Sequence, residues 1–243
     1  MMSGSVQIWR GFGDSEIGPF HQRLGLPNQD AFCLQLLNSP ILITVSDGLG
    51  SKSLSQLGSQ AVCRAVTRIS QNCKEIAEPL LLLERFHSYW LEELKGVDIE
   101  QCRCTALFAI VLEEHTFIAQ LGDGDCCIIR SREIEGKQHI SFLVDKSSEN
   151  FANQTYSLGN QFQSSQWKYL LLPTVELEAC FLVTDGIADD LVLEHRSHFY
   201  IELLNQYRQL SDDEVQADVR SWISQWPVIG HSDDKTIAAF YRG

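Results

Sequence analysis

Aspartates recur in this sequence where apolar runs begin or end. Asp47-Gly48 follows Ile41–Ser46, and Asp185-Gly186 follows Cys180–Thr184. Gly122-Asp123-Gly124-Asp125 lies between two apolar runs, Asp233-Asp234 precedes the last one, and Asp30 opens the second. If these runs are strands of one sheet, their ends share a rim, and carboxylates on that rim can converge. Converged anions repel one another unless a cation neutralises them. A purely oxygen donor set suits hard divalent cations such as Mg²⁺ and Mn²⁺. The glycines after Asp47 and Asp185 permit sharp turns and leave backbone carbonyls free to coordinate. Asp-Gly is also an ordinary turn dipeptide, and an Asp after a strand often only caps a turn. Five such sites in one chain favour the metal reading, but spacing alone does not show convergence.

For the carboxylates to meet, strands must carry them, and the apolar patterning supplies strands. Ser5–Trp9 reads as a short opening strand and the Gly-rich, polar Phe12–Asn28 as a loop. Asp30–Leu37 and Ile41–Ser46 read as two strands joined at Asn38-Ser39-Pro40. Leu54, Leu57, Ala61, Ala65 and Ile69 then recur at helical spacing, as do Leu83, Phe86, Trp90 and Leu94, so two amphipathic helices follow. Thr105–Leu112, Thr116–Leu121 and Cys126–Arg130 lie too close together for helical crossovers, and adjacent antiparallel strands are expected. Ile140–Val144 is a further strand, and Ser147–Gln166 a polar loop or flap. Ala179–Thr184 is a buried strand, Val215 to Trp226 mark a late helix, and Thr236–Tyr241 closes the chain as a strand. Trp167 and Tyr169 are expected to pack on a sheet. Strands and helices come in blocks, which points to an α+β fold with antiparallel sheets and outer helices. No repeat, low-complexity tract or linker interrupts residues 1–243, so one domain is expected.

Bulk properties narrow the function classes. The 243 residues carry a formal net charge of −13. Nucleic-acid binding needs clustered Lys and Arg, which this chain lacks, whereas an acidic protein attracts cations. None of the eight cysteines forms a Cys-x-x-Cys pair, and several lie in apolar runs, so reduced core thiols are expected rather than disulfides or zinc ligands. The N-terminus shows no basic region followed by an apolar stretch, so no secretory signal is expected. No apolar run approaches the ~20 residues of a membrane span. A cytoplasmic monomer without nucleic-acid or membrane partners is the expectation.

The order of the motifs resembles that of the metal-dependent serine/threonine protein phosphatases of type 2C, from about Gly18 to Phe240. Asn28-Gln29-Asp30-Ala31 resembles the family's Asn-Glu-Asp-Ala, and Ser46-Asp47-Gly48-Leu49-Gly50-Ser51 its Asp-Gly-x-Gly-Gly loop. Cys104-Thr105-Ala106 resembles Ser-Thr-Ala, and Leu121-Gly122-Asp123-Gly124-Asp125 the Gly-Asp-Ser-Arg element. Thr184-Asp185-Gly186-Ile187-Ala188-Asp189 is similar to Ser-Asp-Gly-x-x-Asp, and Ser232-Asp233-Asp234-Lys235-Thr236 to Asp-Asn-x-Thr. Gly18-Pro19-Phe20-His21, Pro27-Asn28-Gln29-Asp30 and Asn150 to Thr155 further resemble a bacterial subgroup. The resemblance implies a four-layer αββα sandwich of two antiparallel sheets flanked by helices, with a metal site at one end. It implies two Mn²⁺ or Mg²⁺ ions, with Asp47 bridging them, Gly48 offering its carbonyl, and Asp30, Asp185 and Asp233 completing the pair. Asp123 and Asp189 match residues that hold a third, weaker metal in some members. A hydroxide bridging the two ions would attack phosphorus in line with the serine or threonine oxygen. The implied substrate is a phosphoprotein made by a Ser/Thr kinase.

Several positions depart from the family pattern. Gln29 replaces a common Glu and can still accept a hydrogen bond. His21 stands near the arginine that usually grips the substrate phosphate, with Arg23 a close rival. Leu49 replaces a histidine that some members carry as a candidate general acid, so the leaving oxygen must take its proton from water or another group. Asp125 is either a turn residue or an added charge at the site. The region from Lys146 to Gln166 corresponds to a flap beside the active site, or to a plain connector. Two other classes remain open to the sequence: the same fold acting as a catalytically weak or inactive binding module, and an actin-like or sugar-kinase-like ATPase. The latter needs a second Gly-rich phosphate loop, which is not found.

Overall fold

The computed structural model describes residues 8–37, 40–73, 78–134, 137–145 and 156–243. The chain runs β1 (Trp9–Glu16), α1 (Pro19–Leu24), β2 (Ala31–Gln35), β3 (Ile41–Ser46), α2 (Ser55–Gln71), α3 (Pro79–Glu93), β4 (Ala106–Val111) and β5 (His115–Leu121). It continues through β6 (Asp125–Ile134), β7 (Lys137–Phe142), β8 (Lys168–Pro173), β9 (Leu177–Val183), α4 (Asp185–Ala188), α5 (Arg196–Tyr207), α6 (Asp212–Ser224) and β10 (Lys235–Arg242). One five-stranded sheet has the order β2-β3-β4-β5-β8 and the other β1-β10-β9-β6-β7. Every strand pair is antiparallel.

The unbroken apolar runs have a simple cause: their strands are buried on both faces. In β4, Ala106, Phe108 and Ile110 face α2 and α3, while Leu107, Ala109 and Val111 face the other sheet. In β9, Ala179, Phe181 and Val183 face α5 and α6, while Cys180 and Leu182 turn inward. Three apolar layers therefore separate four layers of structure. They lie between α2/α3 and the first sheet, between the two sheets, and between the second sheet and α5/α6. This is the expected α+β sandwich. No disulfide joins the eight cysteines, and Cys102, Cys104, Cys126, Cys127 and Cys180 are buried.

Four segments differ from expectation. The sequence between Phe12 and Asn28 is not a loop: it holds most of β1 and all of α1. Gly13 is there for close approach, since a Cβ on it would lie 2.6 Å from the Phe32 ring, whereas Gly25 is the left-handed C-cap of α1. The proposed opening strand starts only at Trp9, and residues before Ile8 lie outside the described set. Strand β8 was hidden because it is an edge strand whose Lys168 and Tyr169 are exposed, although Tyr169 does pack on Phe117 of the sheet. Helix α5 carries Tyr200, Leu203, Leu204 and Tyr207 at i, i+3, i+4 and i+7, a legible helical pattern that polar neighbours obscured. Asn150 to Thr155, with the rest of 146–155, lie outside the described residues, and the second half of the expected flap, 156–166, is described.

Close packing fixes α2 against the segment that leads into β4. Gly58 of α2 accepts a hydrogen bond from Trp90 Nε1 at 3.0 Å, and a Cβ there would collide with the Cys102 carbonyl. Gly58→Ala is therefore expected to destabilise the protein by about 1–3 kcal/mol. Thermal melting should show a loss of ~2–4 °C per kcal/mol at this size. A melting temperature unchanged to within a degree would contradict this packing.

Candidate active site

The strand registers bring the aspartates together. Ala31 pairs with Ser46, so one step further Asp30 and Asp47 stand side by side at the end of β2 and β3. In the other sheet Val183 pairs with Ile237, so Asp185 and Asp233 emerge at the matching end of β9 and β10. Asp123 sits in the turn that carries the chain from one sheet to the other. Asp47 is anchored through its backbone by two hydrogen bonds with Thr105: its N–H donates to the side-chain Oγ1 at 2.9 Å, and Thr105 N–H donates to its carbonyl at 2.8 Å. Asp30 is held across the sandwich by Thr184, whose hydroxyl donates to Oδ2 at 2.8 Å and accepts from Thr236 N–H at 3.1 Å. Gly48 must be glycine, because a Cβ would lie 2.8 Å from the Gln29 carbonyl and from Ser55 Cβ.

These residues line a cleft of about 320 Å³ whose walls include His21, Asp47, Gly48, Asp123, Asp185 and Asp233. A second cavity of about 240 Å³ shares Asp185 and Asp233 and adds Asp189. Asp30 is buried just behind the first cleft. Burial pushes the Asp30 carboxyl up to about 7, against hydrogen bonds from Thr236 and Thr184. Burial and then Asp123, Asp233, Asp30 and Asp189 push Asp185 up to about 8. Asp47 is raised well above the carboxylate range, by burial first and then by Asp30 and Asp185. Asp233, nearer the surface, shifts upward as well, again chiefly by desolvation.

This donor set fits hard cations. It offers only oxygen, and the buried Asp185 Oδ1 and Gln29 Oε1 have no hydrogen-bond partner among the described residues. Among the described residues no group of three or more His, Cys, Asp or Glu stands ready-made as a coordination shell. The carboxylates share one rim and sense each other's charge without forming a finished shell.

Other expected residues sort themselves by position. His21 is buried in the cleft wall, and its Nδ1 lies 2.9 Å from Asp234 Oδ2. Its rival Arg23 is exposed on α1 and is not part of the cleft lining. Asp125 turns away from the site: it pairs with the buried Arg196 at 3.3 Å and accepts from Tyr200 at 3.1 Å. Sequence reasoning overlooked Asp234, which accepts from Gly18 N–H and Gln29 N–H, both at 2.7 Å, as well as facing His21. The tandem Asp233-Asp234 was the available signal, since two adjacent acids at a strand start point in different directions.

A sequence profile described as protein phosphatase 2C matches residues 17–225. The chain belongs to the protein phosphatase 2C family. Among solved structures it is similar to the catalytic domain of the serine/threonine protein phosphatase PstP in complex with two manganese ions, at 14% identity and TM-score 0.65, covering 97% of this chain and 99% of that one. It is also similar to PppA, a key regulatory component of T6SS in Pseudomonas aeruginosa, at 17% identity and TM-score 0.65, covering 98% and 99%. The serine/threonine phosphatase PstP/Ppp of Mycobacterium tuberculosis gives 14% identity, TM-score 0.64 and coverage of 97% and 99%. No curated protein matches the chain. At these identities the likeness is one of fold. Among the described residues no helix is long and apolar enough to cross a membrane.

The raised carboxyls set a pH dependence for this phosphatase 2C chain without metal. Folded pKa values above the unfolded ones mean that the native state binds more protons. Stability from these groups is therefore present below about pH 4 and is lost as pH rises towards 8. Asp47→Asn removes one member of the repelling set. At pH 8, metal-free Asp47→Asn is expected to melt higher than the wild type, by ~2–4 °C for each kcal/mol relieved, and the gap should shrink at pH 5. Differential scanning fluorimetry decides this, and a variant less stable at pH 8 would contradict it.

Proposed function

We propose that this chain hydrolyses phosphoserine and phosphothreonine on other proteins with the help of two Mn²⁺ or Mg²⁺ ions. The observation that carries the reading is the gathering of Asp30, Asp47, Asp185 and Asp233 at one end of the sandwich, with carboxyls shifted upward by burial and by one another. Asp47 and the Gly48 carbonyl, with Asp30, Asp185 and Asp233, would hold the two ions. Asp123 and Asp189, which flank Asp185 and raise its carboxyl, would serve a third. When bound, such cations acidify water and neutralise charge on phosphoryl oxygens.

The chain's own residues orient and bind. Thr105, Thr184 and Thr236 fix Asp47 and Asp30 in place. Gln29 offers a neutral buried acceptor beside them. His21 lines the cleft wall and would face the phosphoryl group from there. A thiol nucleophile is not part of the scheme: Cys104, behind Asp47, is fully buried and its thiol is raised, chiefly by desolvation. The substrate is a phosphoprotein supplied by a Ser/Thr kinase, and the region from 1 to 243 acts as a single catalytic domain in the cytoplasm.

Hydrolysis of p-nitrophenyl phosphate tests the reading. Activity is expected with Mn²⁺ and none with chelator, and Asp47→Asn should lose on the order of 10²–10⁴ in kcat/KM. Activity that survives both chelator and Asp47→Asn would overturn it.

A further inference from the structure

We propose that His21, oriented by Asp234, is the general acid that protonates the leaving serine or threonine oxygen. This rests on the phosphatase reading above and names the group that moves the leaving-group proton. The cleft wall narrows the choice. Phe20, Leu49 and the glycines carry no transferable proton, the lining aspartates are the proposed cation ligands, and the Ser232 hydroxyl is a weak acid. His21 is left.

The pair is built into the fold. Asp234 is 1% exposed and His21 5%. Asp234 Oδ1 accepts from Gly18 N–H at 2.7 Å, and Oδ2 accepts from Gln29 N–H at 2.7 Å and faces His21 Nδ1 at 2.9 Å. Gly18 is the N-cap of α1 and Gln29 follows the helix, so both ends of this segment are tied to one carboxylate. Two backbone N–H donors fix the orientation of that carboxylate. In the proposed arrangement Nδ1 donates to this carboxylate, and Nε2 is the nitrogen left for the cleft. The arrangement is the second half of a Ser-His-Asp logic without the serine: an acid holds the ring, and the ring's far nitrogen does the proton transfer.

Water attacks phosphorus while the bond from phosphorus to the serine or threonine oxygen breaks. That oxygen takes the Nε2 proton of the imidazolium. The products are the free hydroxyl side chain, inorganic phosphate and a neutral ring that keeps its Nδ1 hydrogen on Asp234. The attacking water releases one proton to solvent and the ring takes one back, so one water is consumed in the cycle.

The test compares leaving groups with Mn²⁺ present. A phosphothreonine peptide releases an alkoxide that needs a proton; p-nitrophenyl phosphate releases a stable phenolate that does not. His21→Gln is expected to lose about 10²–10⁴-fold in kcat on the peptide, and roughly 10²-fold less than that on the aryl ester. Asp234→Asn should show the same ordering with smaller losses, since Asp234 acts through the ring. Equal losses on the two substrates, or a change in KM alone, would overturn the proposal. The wild type provides a check that needs no folded variant. Its kcat across aryl phosphates should depend weakly on the leaving phenol's basicity, and a steep dependence overturns the proposal. A wild type that hydrolyses neither substrate instead overturns the phosphatase reading on which this one stands.

Discussion

Carboxylates crowded into a place with little water are the constraint around which this molecule is arranged. Asp30, Asp47 and Asp185 each lose solvation and each feel the others' charge. Left to themselves they would separate. What keeps them together is neutral: strand registers that end at the same level, and threonine hydroxyls that donate or accept at fixed points. Thr184 is central, since it joins Asp30 of one sheet to Thr236 of the other. A cation placed among these oxygens would remove the repulsion, which is why the site's chemistry and its electrostatic cost have one origin.

The cohesion that offsets this cost lies elsewhere. Three apolar layers, each filled by alternate residues of the same strands, hold the two sheets at a fixed separation. Backbone contacts too close for any side chain, at Gly48 and Gly58, lock the loops that leave the sheets. Rigidity is thus concentrated behind the carboxylates. The division is common in enzymes, where a stable scaffold carries a site that is locally unfavourable.

Much of this was legible in the sequence. Strands β3, β4, β5 and β9 are mostly apolar runs, and polar or acidic residues lie close to their ends. Helices α2 and α3 follow from apolar residues at helical spacing. The elements that escaped notice are those whose pattern is set by a neighbour. β1 contains glycines because Phe32 presses on it, and β8 shows polar residues because it is an edge. At the site, spacing placed the aspartates at strand ends but could not say which face each would choose. Asp123 and Asp125 differ by two residues, yet one lines the cleft and the other pairs with Arg196. Asp233 and Asp234 are neighbours, yet one faces the cleft and the other anchors His21. Those choices depend on partners more than fifty residues away, which no local pattern records.

The most direct measurement of the central claim is the stoichiometry of Mn²⁺ binding, by isothermal titration calorimetry with electron paramagnetic resonance. Two ions per chain, spin-coupled through a shared carboxylate and uncoupled or lost in Asp47→Asn, are the expected result. A chain that binds no Mn²⁺ at this rim, or binds it equally well after that substitution, would contradict the account.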